Sequence, residues 1–125
     1  MVHGSYRRFA TGYYLSAAQM AWFWQQYVPQ GLVADGRPVM LADPDLSPLL
    51  ANDLHRLPPT LVVTAQSDIL HDEGQAFAGL LASVGVEHTY FEVPAMIHGF
   101  LRFRALSQAR DLPARIRAQL DHWKI

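Results

Sequence analysis

The chain has 125 residues, of which half are hydrophobic and 17% are charged, and its formal net charge is −1. This composition is typical of a single globular domain with a modest core, and it excludes a disordered or low-complexity chain. The near-neutral charge excludes strong long-range attraction to nucleic acid or to an anionic membrane. The absence of cysteine excludes a disulfide scaffold and a thiolate metal site.

The cellular location follows from what the sequence lacks. No apolar run approaches the roughly 18 residues that a membrane-spanning helix needs. The first residues, MVHGS, do not show the charged and then apolar order of a signal peptide. We therefore expect a cytoplasmic domain without stable membrane insertion.

The first predicted helix begins at Ser16 and ends near Tyr27. Ser16 and Gln19 have the spacing of a capping box, and Pro29 disfavours helical geometry in the residue before it. Apolar and aromatic side chains occur on nearly every side of this helix, including Trp22, Phe23 and Trp24. Such a helix is expected to be buried in a core, and the alternative is that it covers a pocket.

Residues 29–59 form a long irregular segment that carries six of the eight prolines. Loops of this length inside a compact domain are uncommon, and they tend to be functional or disordered. Within the segment, Ser47 and Pro48 predict the start of a short helical turn that continues through Leu50.

Residues 60–65 (TLVVTA) are almost continuously apolar and β-branched, which predicts a strand covered on both faces. A helix follows, with Asp72 and Glu73 in its first turn and a buried stripe of Phe77, Leu80, Leu81 and Val84. Gly85 is placed to end it in the left-handed conformation. Residues 88–93 (HTYFEV) predict the next strand, so the pattern indicates an α/β fold with a parallel βαβ unit.

The last predicted helix spans residues 105–123. Its apolar side chains recur every three or four residues, at Leu106, Ala109, Pro113, Ile116, Leu120 and Trp123. Pro113 lies inside this pattern and is expected to kink the helix or to split it near Leu112.

Two side chains that could carry chemistry follow the two predicted strands. Asp68 comes just after the first strand and His98 just after the second, and reactive groups collect at the carboxyl ends of parallel strands. A carboxylate that accepts the N–H of a histidine fixes its tautomer and stabilises the imidazolium. Taken singly, each residue has a structural alternative, since an aspartate after a strand is commonly a turn or cap residue.

Other chemistry finds little support in the sequence. The six histidines show no metal-ligand spacing, and there is no glycine-rich phosphate loop. We therefore predict no metal and no cofactor.

Several segments resemble the end of α/β-hydrolases of the hormone-sensitive-lipase-like esterase and lipase family. They are PPTLVVTA at 58–65, SDIL at 67–70, DEG at 72–74 and MIHGF at 96–100, and the similarity extends forward through SYRRF at 5–9 and SPLLA at 47–51, so that it covers nearly the whole chain. The resemblance implies that Asp68 is the acid and His98 the base of a catalytic triad. Two departures are Ile69, where proline is usual, and Ala95, where glycine is common.

The third triad member is not found. The family's nucleophile lies in a G-x-S-x-G turn, and neither this motif nor an H-G-G-G oxyanion loop occurs in the sequence. The segment His3-Gly4-Ser5 is interpreted as a loop and not as the nucleophile. Residues 1–125 are therefore expected to be the C-terminal portion of an α/β-hydrolase domain, inactive alone, which contributes acid and base to a nucleophile outside this chain.

The expected partner is a short-chain ester substrate, once a nucleophile-bearing segment completes the site. The alternative is a non-catalytic module that self-associates, because both predicted strands would present uncovered edges to other chains.

Overall fold

A computed structural model describes residues 3–27, 33–34, 37–38 and 43–124. Two helices come first, then a short hairpin, then a strand–helix–strand unit and a last helix. In chain order these are α1 (Gly4–Arg8), α2 (Ala17–Tyr27), β1 (Val33–Ala34), β2 (Arg37–Pro38), β3 (Thr60–Ser67), α3 (His71–Ser83), β4 (His88–Ile97) and α4 (Ser107–Trp123).

The predicted parallel βαβ unit is confirmed. β3 pairs with β4 in parallel, from Thr60 opposite His88 to Ala65 opposite Val93. The register shifts between Ala65 and Ser67, and beyond this irregularity Ser67 lies opposite Ile97. Both strands therefore run further than their apolar patterns indicated, and β4 continues past Pro94 because an irregularity tolerates the missing N–H.

The core lies between β3, β4 and α4. Its buried members are Ala65, Val93, Met96, Phe100, Ala109 and Leu112. The predicted burial of β3 on both faces holds only at Thr64 and Ala65, and residues 60–63 are partly exposed. Among the described residues β4 is the sole neighbour of β3 in the sheet, so the first half of the strand lacks the cover of an inner strand.

The central helix α3 follows its prediction in part. Leu81 is fully buried, Phe77 and Leu80 are partly buried, and Val84 is 42% exposed, since it lies beyond the last helical turn. Gly85 has a φ of +76°, as expected of the residue that ends the helix.

The last helix is continuous, so the predicted split near Leu112 is wrong. Pro113 lies inside α4 with its side chain exposed. Apolar contacts with the core occur on both sides of the proline, at Ala109 and Leu112 before it and at Ile116 after it. These contacts hold the two halves in one helix despite the missing hydrogen bond.

The aromatic helix α2 is not a core element, and the expectation of burial was wrong. Its capping box is present, since Ser16 N–H donates to Gln19 Oε1 at 2.8 Å and Gln19 N–H donates to Ser16 Oγ at 3.2 Å. Yet no residue of α2 is buried, and Trp22 and Phe23 are about half exposed. Among the described helices and strands none packs extensively on α2, so its apolar side chains are at most partly buried.

The irregular segment contains the predicted turn at Pro48–Leu50, followed by a second 3₁₀ turn at Leu54–Arg56. The rest of the prediction for residues 29–42 lies largely outside the described residues.

Candidate active site

The two side chains that follow the strands meet at one edge of the sheet. Asp68 comes directly after β3 and is buried, with 8% of its surface exposed. One carboxylate oxygen, Oδ1, accepts the N–H of Leu70 at 2.9 Å, and the other, Oδ2, lies 2.9 Å from His98 Nδ1. The backbone turn and the imidazole together fix the orientation of the carboxylate.

His98 comes directly after β4. Gly99 follows it with a φ of +69°, a left-handed conformation that glycine adopts without strain, and the chain then turns into Phe100–Arg102. Because Nδ1 faces a carboxylate, its proton is the one donated to Asp68. Nε2 is then the free basic nitrogen, and it has no hydrogen-bond partner among the residues that the structure describes.

A cavity of about 510 Å³ opens beside this pair. Its walls are mostly apolar and come from α2, from the turn before and within Pro48–Leu50, from β3 and from α3. The side chains that border it besides Asp68 and His98 include Trp24, Leu46, Leu49, Val63, Leu70 and Phe77. Trp24 at this position favours the alternative interpretation of α2 as the border of a pocket.

A second carboxyl group, Glu73, also borders the cavity. Burial raises its pKa first, the positive charge of His3 lowers it, and the negative charge of Asp68 raises it further, so the net direction is upward. Nearby, burial and then the charges of Glu73 and Asp68 raise the pKa of Tyr6 to about 12. The phenol therefore stays protonated at neutral pH.

Ser5 makes structural hydrogen bonds and does not border the cavity. It is fully buried, its Oγ donates to the carbonyl of Ile69 at 2.7 Å, and its N–H donates to Asp72 Oδ2 at 2.8 Å. The interpretation of His3-Gly4-Ser5 as a loop was wrong, because Gly4 and Ser5 begin α1. The two contacts anchor α1 to the turn after β3, through Ile69, and to α3, through Asp72. The hydroxyl therefore has a structural partner, and that Ser5 is not the nucleophile stays a prediction.

Some cavity residues could not be identified from the sequence. Trp24 and Leu46 lie 44 and 22 residues before Asp68, outside the segments that carry the family resemblance, and Leu49 lies 19 residues before it. Among the described residues no group of three or more histidine or carboxylate side chains is arranged to hold a metal ion. Within the same residues, no helix has the length and apolar character needed to cross a bilayer.

The parallel βαβ unit and the pairing of Asp68 with His98 at its strand ends are typical of α/β-hydrolases. A family model described as the α/β-hydrolase fold matches residues 2–102, and the chain belongs to this family. The resemblance of its motifs to hormone-sensitive-lipase-like esterases is confirmed by this match and by esterase relatives.

Two curated relatives are ester hydrolases. An ethyl acetate hydrolase of Pseudomonas putida is 34% identical over 107 residues, which are 86% of this chain and 31% of that protein. A carboxylic ester hydrolase of Mycobacterium tuberculosis is 34% identical over 118 residues, 90% of this chain and 30% of that protein. The chain therefore spans about a third of the length of these relatives.

Solved structures give the same result for the fold. An ester hydrolase from the metagenome of Lake Arreo, in complex with a bipyridine phosphonate derivative, is 41% identical with a TM-score of 0.80, covering 100% of this chain and 38% of that one. An esterase of Pyrobaculum calidifontis is 31% identical with a TM-score of 0.81, covering 100% of this chain and 39% of that one.

Proposed function

We propose that this chain supplies the acid and the base of a serine carboxylester hydrolase, and that the nucleophilic serine lies on a segment outside these 125 residues. Asp68 is the orienting acid and His98 is the general base. The contact of 2.9 Å between Asp68 Oδ2 and His98 Nδ1 is the observation that carries this proposal. It leaves Nε2 as the basic atom of a residue that borders the cavity.

The chemistry follows from the orientation of the imidazole. Nε2 of His98 takes the proton of the serine hydroxyl as the serine oxygen attacks the ester carbonyl. The negative charge of Asp68 stabilises the imidazolium that forms. His98 then gives this proton to the departing alcohol, which leaves an acyl-serine. In the second half of the reaction, Nε2 takes a proton from water as the water oxygen attacks the acyl-serine carbonyl. The bond to the serine oxygen breaks, the carboxylic acid leaves, and the imidazolium returns its proton to the serine.

The substrate class is a short-chain carboxylic ester. The names of the relatives support it, since one hydrolyses ethyl acetate and others are carboxylic ester hydrolases. The cavity beside His98 supports it too, because its apolar walls suit a small acyl or alkyl group.

The test is a chromogenic assay with p-nitrophenyl acetate. We expect no turnover above buffer from the 125-residue chain alone, and turnover when the nucleophile-bearing portion of a related esterase is added or co-expressed. The control variant is Ser5→Ala, which should leave the reconstituted rate unchanged if the variant folds. A burst and turnover from the chain alone that Ser5→Ala abolishes would show that Ser5 is the nucleophile.

The second candidate function is a non-catalytic module that self-associates. The observation in its favour is that, in the described part of the chain, β3 and β4 pair only with each other, so each strand has an unpaired outer edge. Light scattering over a range of concentrations distinguishes the two. A mass that rises with concentration, without activity on adding the missing segment, favours the module. A monomer at all concentrations excludes it.

A further inference from the structure

His71 lies between two carboxylates of different chain segments. Its Nδ1 is 2.8 Å from Asp72 Oδ1, the next residue in α3, and its Nε2 is 2.7 Å from Glu92 Oε2 on β4. The His71 side chain is 11% exposed, so water can do little to replace either contact. Neither contact involves Asp68 or His98.

This geometry decides the charge of the ring. A neutral imidazole carries one N–H and one acceptor nitrogen, so one of the two carboxylates would face a lone pair. Only the imidazolium donates from both nitrogens. Burial lowers the pKa of His71, but the hydrogen bonds with Asp72 and Glu92 and the charges of the same two groups raise it by more, and the net direction is upward.

The charged groups around His71 come from three elements. α3 contributes Asp72, β4 contributes Glu92, and α1 contributes Arg8, whose Nη2 donates to Asp72 Oδ1 at 2.7 Å. Burial raises the pKa of Asp72, but the bonds from His71, from the N–H of Ser5 and from Arg8 lower it by more. The negative charges of Asp72 and Glu92 thus face the positive charges of Arg8 and protonated His71. The net charge of the cluster is zero only while His71 is protonated.

We propose that His71 is held as an imidazolium between Asp72 and Glu92, and that this cation is a positioning residue for the turn that carries Asp68. The N–H of His71 donates to the carbonyl of Asp68 at 3.1 Å, and Leu70 donates to the Asp68 carboxylate. The ring joins the end of this turn to Glu92 on β4, and His98 directly follows that strand. Asp68 is therefore connected to the ion cluster through its own turn, and His98 contacts Asp68.

The positioning role rests on the proposed function, because it treats Asp68 as the orienting acid. The charge of His71 does not rest on it. The two are therefore tested by separate measurements.

The pH dependence has a definite sign. Since the pKa of His71 is raised in the folded state above its ordinary value of 6.5, its contribution to stability is complete below that value. The contribution is lost as the pH rises through the higher folded pKa. Since the pKa of Asp72 is lowered below 3.8, its contribution is lost only in stronger acid. The cluster therefore stabilises the fold most in weakly acidic solution, above the ordinary pKa of Asp72 and below that of His71.

The first measurement is a ¹⁵N NMR titration of the histidine side chains in the 125-residue chain. We expect both ring nitrogens of His71 to show the protonated chemical shift at pH 7. Glu92→Gln should move the midpoint of the His71 titration downward, whereas His122→Gln, an exposed histidine on α4, should leave it unchanged. A neutral single tautomer of His71 at pH 7, or a midpoint that Glu92→Gln does not move, would overturn the assigned charge.

The second measurement concerns the turn. In the reconstituted esterase, we expect His71→Gln to lower kcat about tenfold or more at constant KM, and His71→Arg, which keeps a positive charge, to recover part of the loss. An Nδ1–H resonance of His98 that keeps its hydrogen-bonded shift in His71→Gln, with kcat unchanged, would overturn the positioning role. If His71→Gln does not fold, Glu92→Gln provides the same two readouts.

Discussion

The unit β3–α3–β4 and the helix α2 are both rich in apolar side chains, but several of these side chains are buried in the unit and none is buried in α2. In the unit, Ala65, Leu81 and Val93 are buried, and the strand ends bring Asp68 to His98. In α2 no residue is buried, and Tyr27 is 69% exposed. The strands of the unit are covered by α3, and α4 with Phe100 packs on Ala65 and Val93.

This difference shows which part of the described chain has neighbouring elements to cover its apolar side chains. A βαβ unit buries one face of its sheet with its own helix. A single aromatic helix cannot bury its sides without neighbours, and the described helices and strands make no extensive contact with α2. Exposed apolar patches of this kind mark contact surfaces more commonly than ordinary solvent faces. We therefore expect changes in the unit to act on stability and changes in α2 to act on assembly with a completing segment.

The largest expected effect concerns the pair at the strand ends. In the reconstituted esterase, His98→Ala and Asp68→Asn should each lower kcat by about 10⁴-fold, since the base is removed in the first and the wrong tautomer is favoured in the second. The double variant should lose little more than either single variant, because the two residues act together. Additive losses in p-nitrophenyl acetate hydrolysis would contradict a shared role.

Alanine substitutions should lower the free energy of unfolding more in the β3–α3–β4 unit than in α2. Leu81→Ala removes a fully buried side chain and should lower the free energy of unfolding by about 2–5 kcal/mol. Trp22→Ala removes a larger side chain that is 55% exposed, and it should change this free energy by only about 0.5 kcal/mol. Urea denaturation followed by circular dichroism measures both. Equal losses would mean that α2 is packed as firmly as α3.

Two glycines of α3 give a matched pair. A Cβ at Gly74 would come within 2.4 Å of Thr64 Cγ2, whereas a Cβ at Gly79 would meet nothing within 4 Å. Gly74→Ala should therefore destabilise by about 1–3 kcal/mol through overpacking. Gly79→Ala should stabilise by up to about 1 kcal/mol through helix propensity. Thr64→Ser removes the clashing methyl group. In that background Gly74→Ala should lower the free energy of unfolding much less.

The smallest effect is expected at Ala95. Its φ is +57°, in the left-handed region, and its N–H donates to Gln66 Oε1 at 2.9 Å across the irregularity of the sheet. Ala95→Gly should relieve the strain and raise the free energy of unfolding by about 0.5–1 kcal/mol, after the entropy that glycine adds to the unfolded chain. Ala82→Gly, in an exposed position of α3, should instead lower it by about 1 kcal/mol. Thermal unfolding of both variants measures the difference.

The sequence was informative where local rules decide the structure. The β-branched run before Asp68 and the turn at Gly99 fixed the order of strand, acid, strand and base, and parallel pairing then brings Asp68 to His98. The contact between His71 and Glu92 could not be predicted, because it joins residues 21 apart through the packing of α3 on β4 and has no sequence motif. The exposure of α2 could not be predicted either, because burial depends on neighbours and not on the apolar character of the helix.

The measurement that tests the central proposal most directly is labelling with a fluorophosphonate probe, followed by mass spectrometry. A serine activated by His98 attacks phosphorus, fluoride leaves, and the serine proton passes to Nε2. We expect no label on the 125-residue chain alone, and one label on the serine of the completing segment after reconstitution, which His98→Ala prevents. A label on Ser5 of the chain alone, or labelling that His98→Ala does not affect, would contradict the proposal.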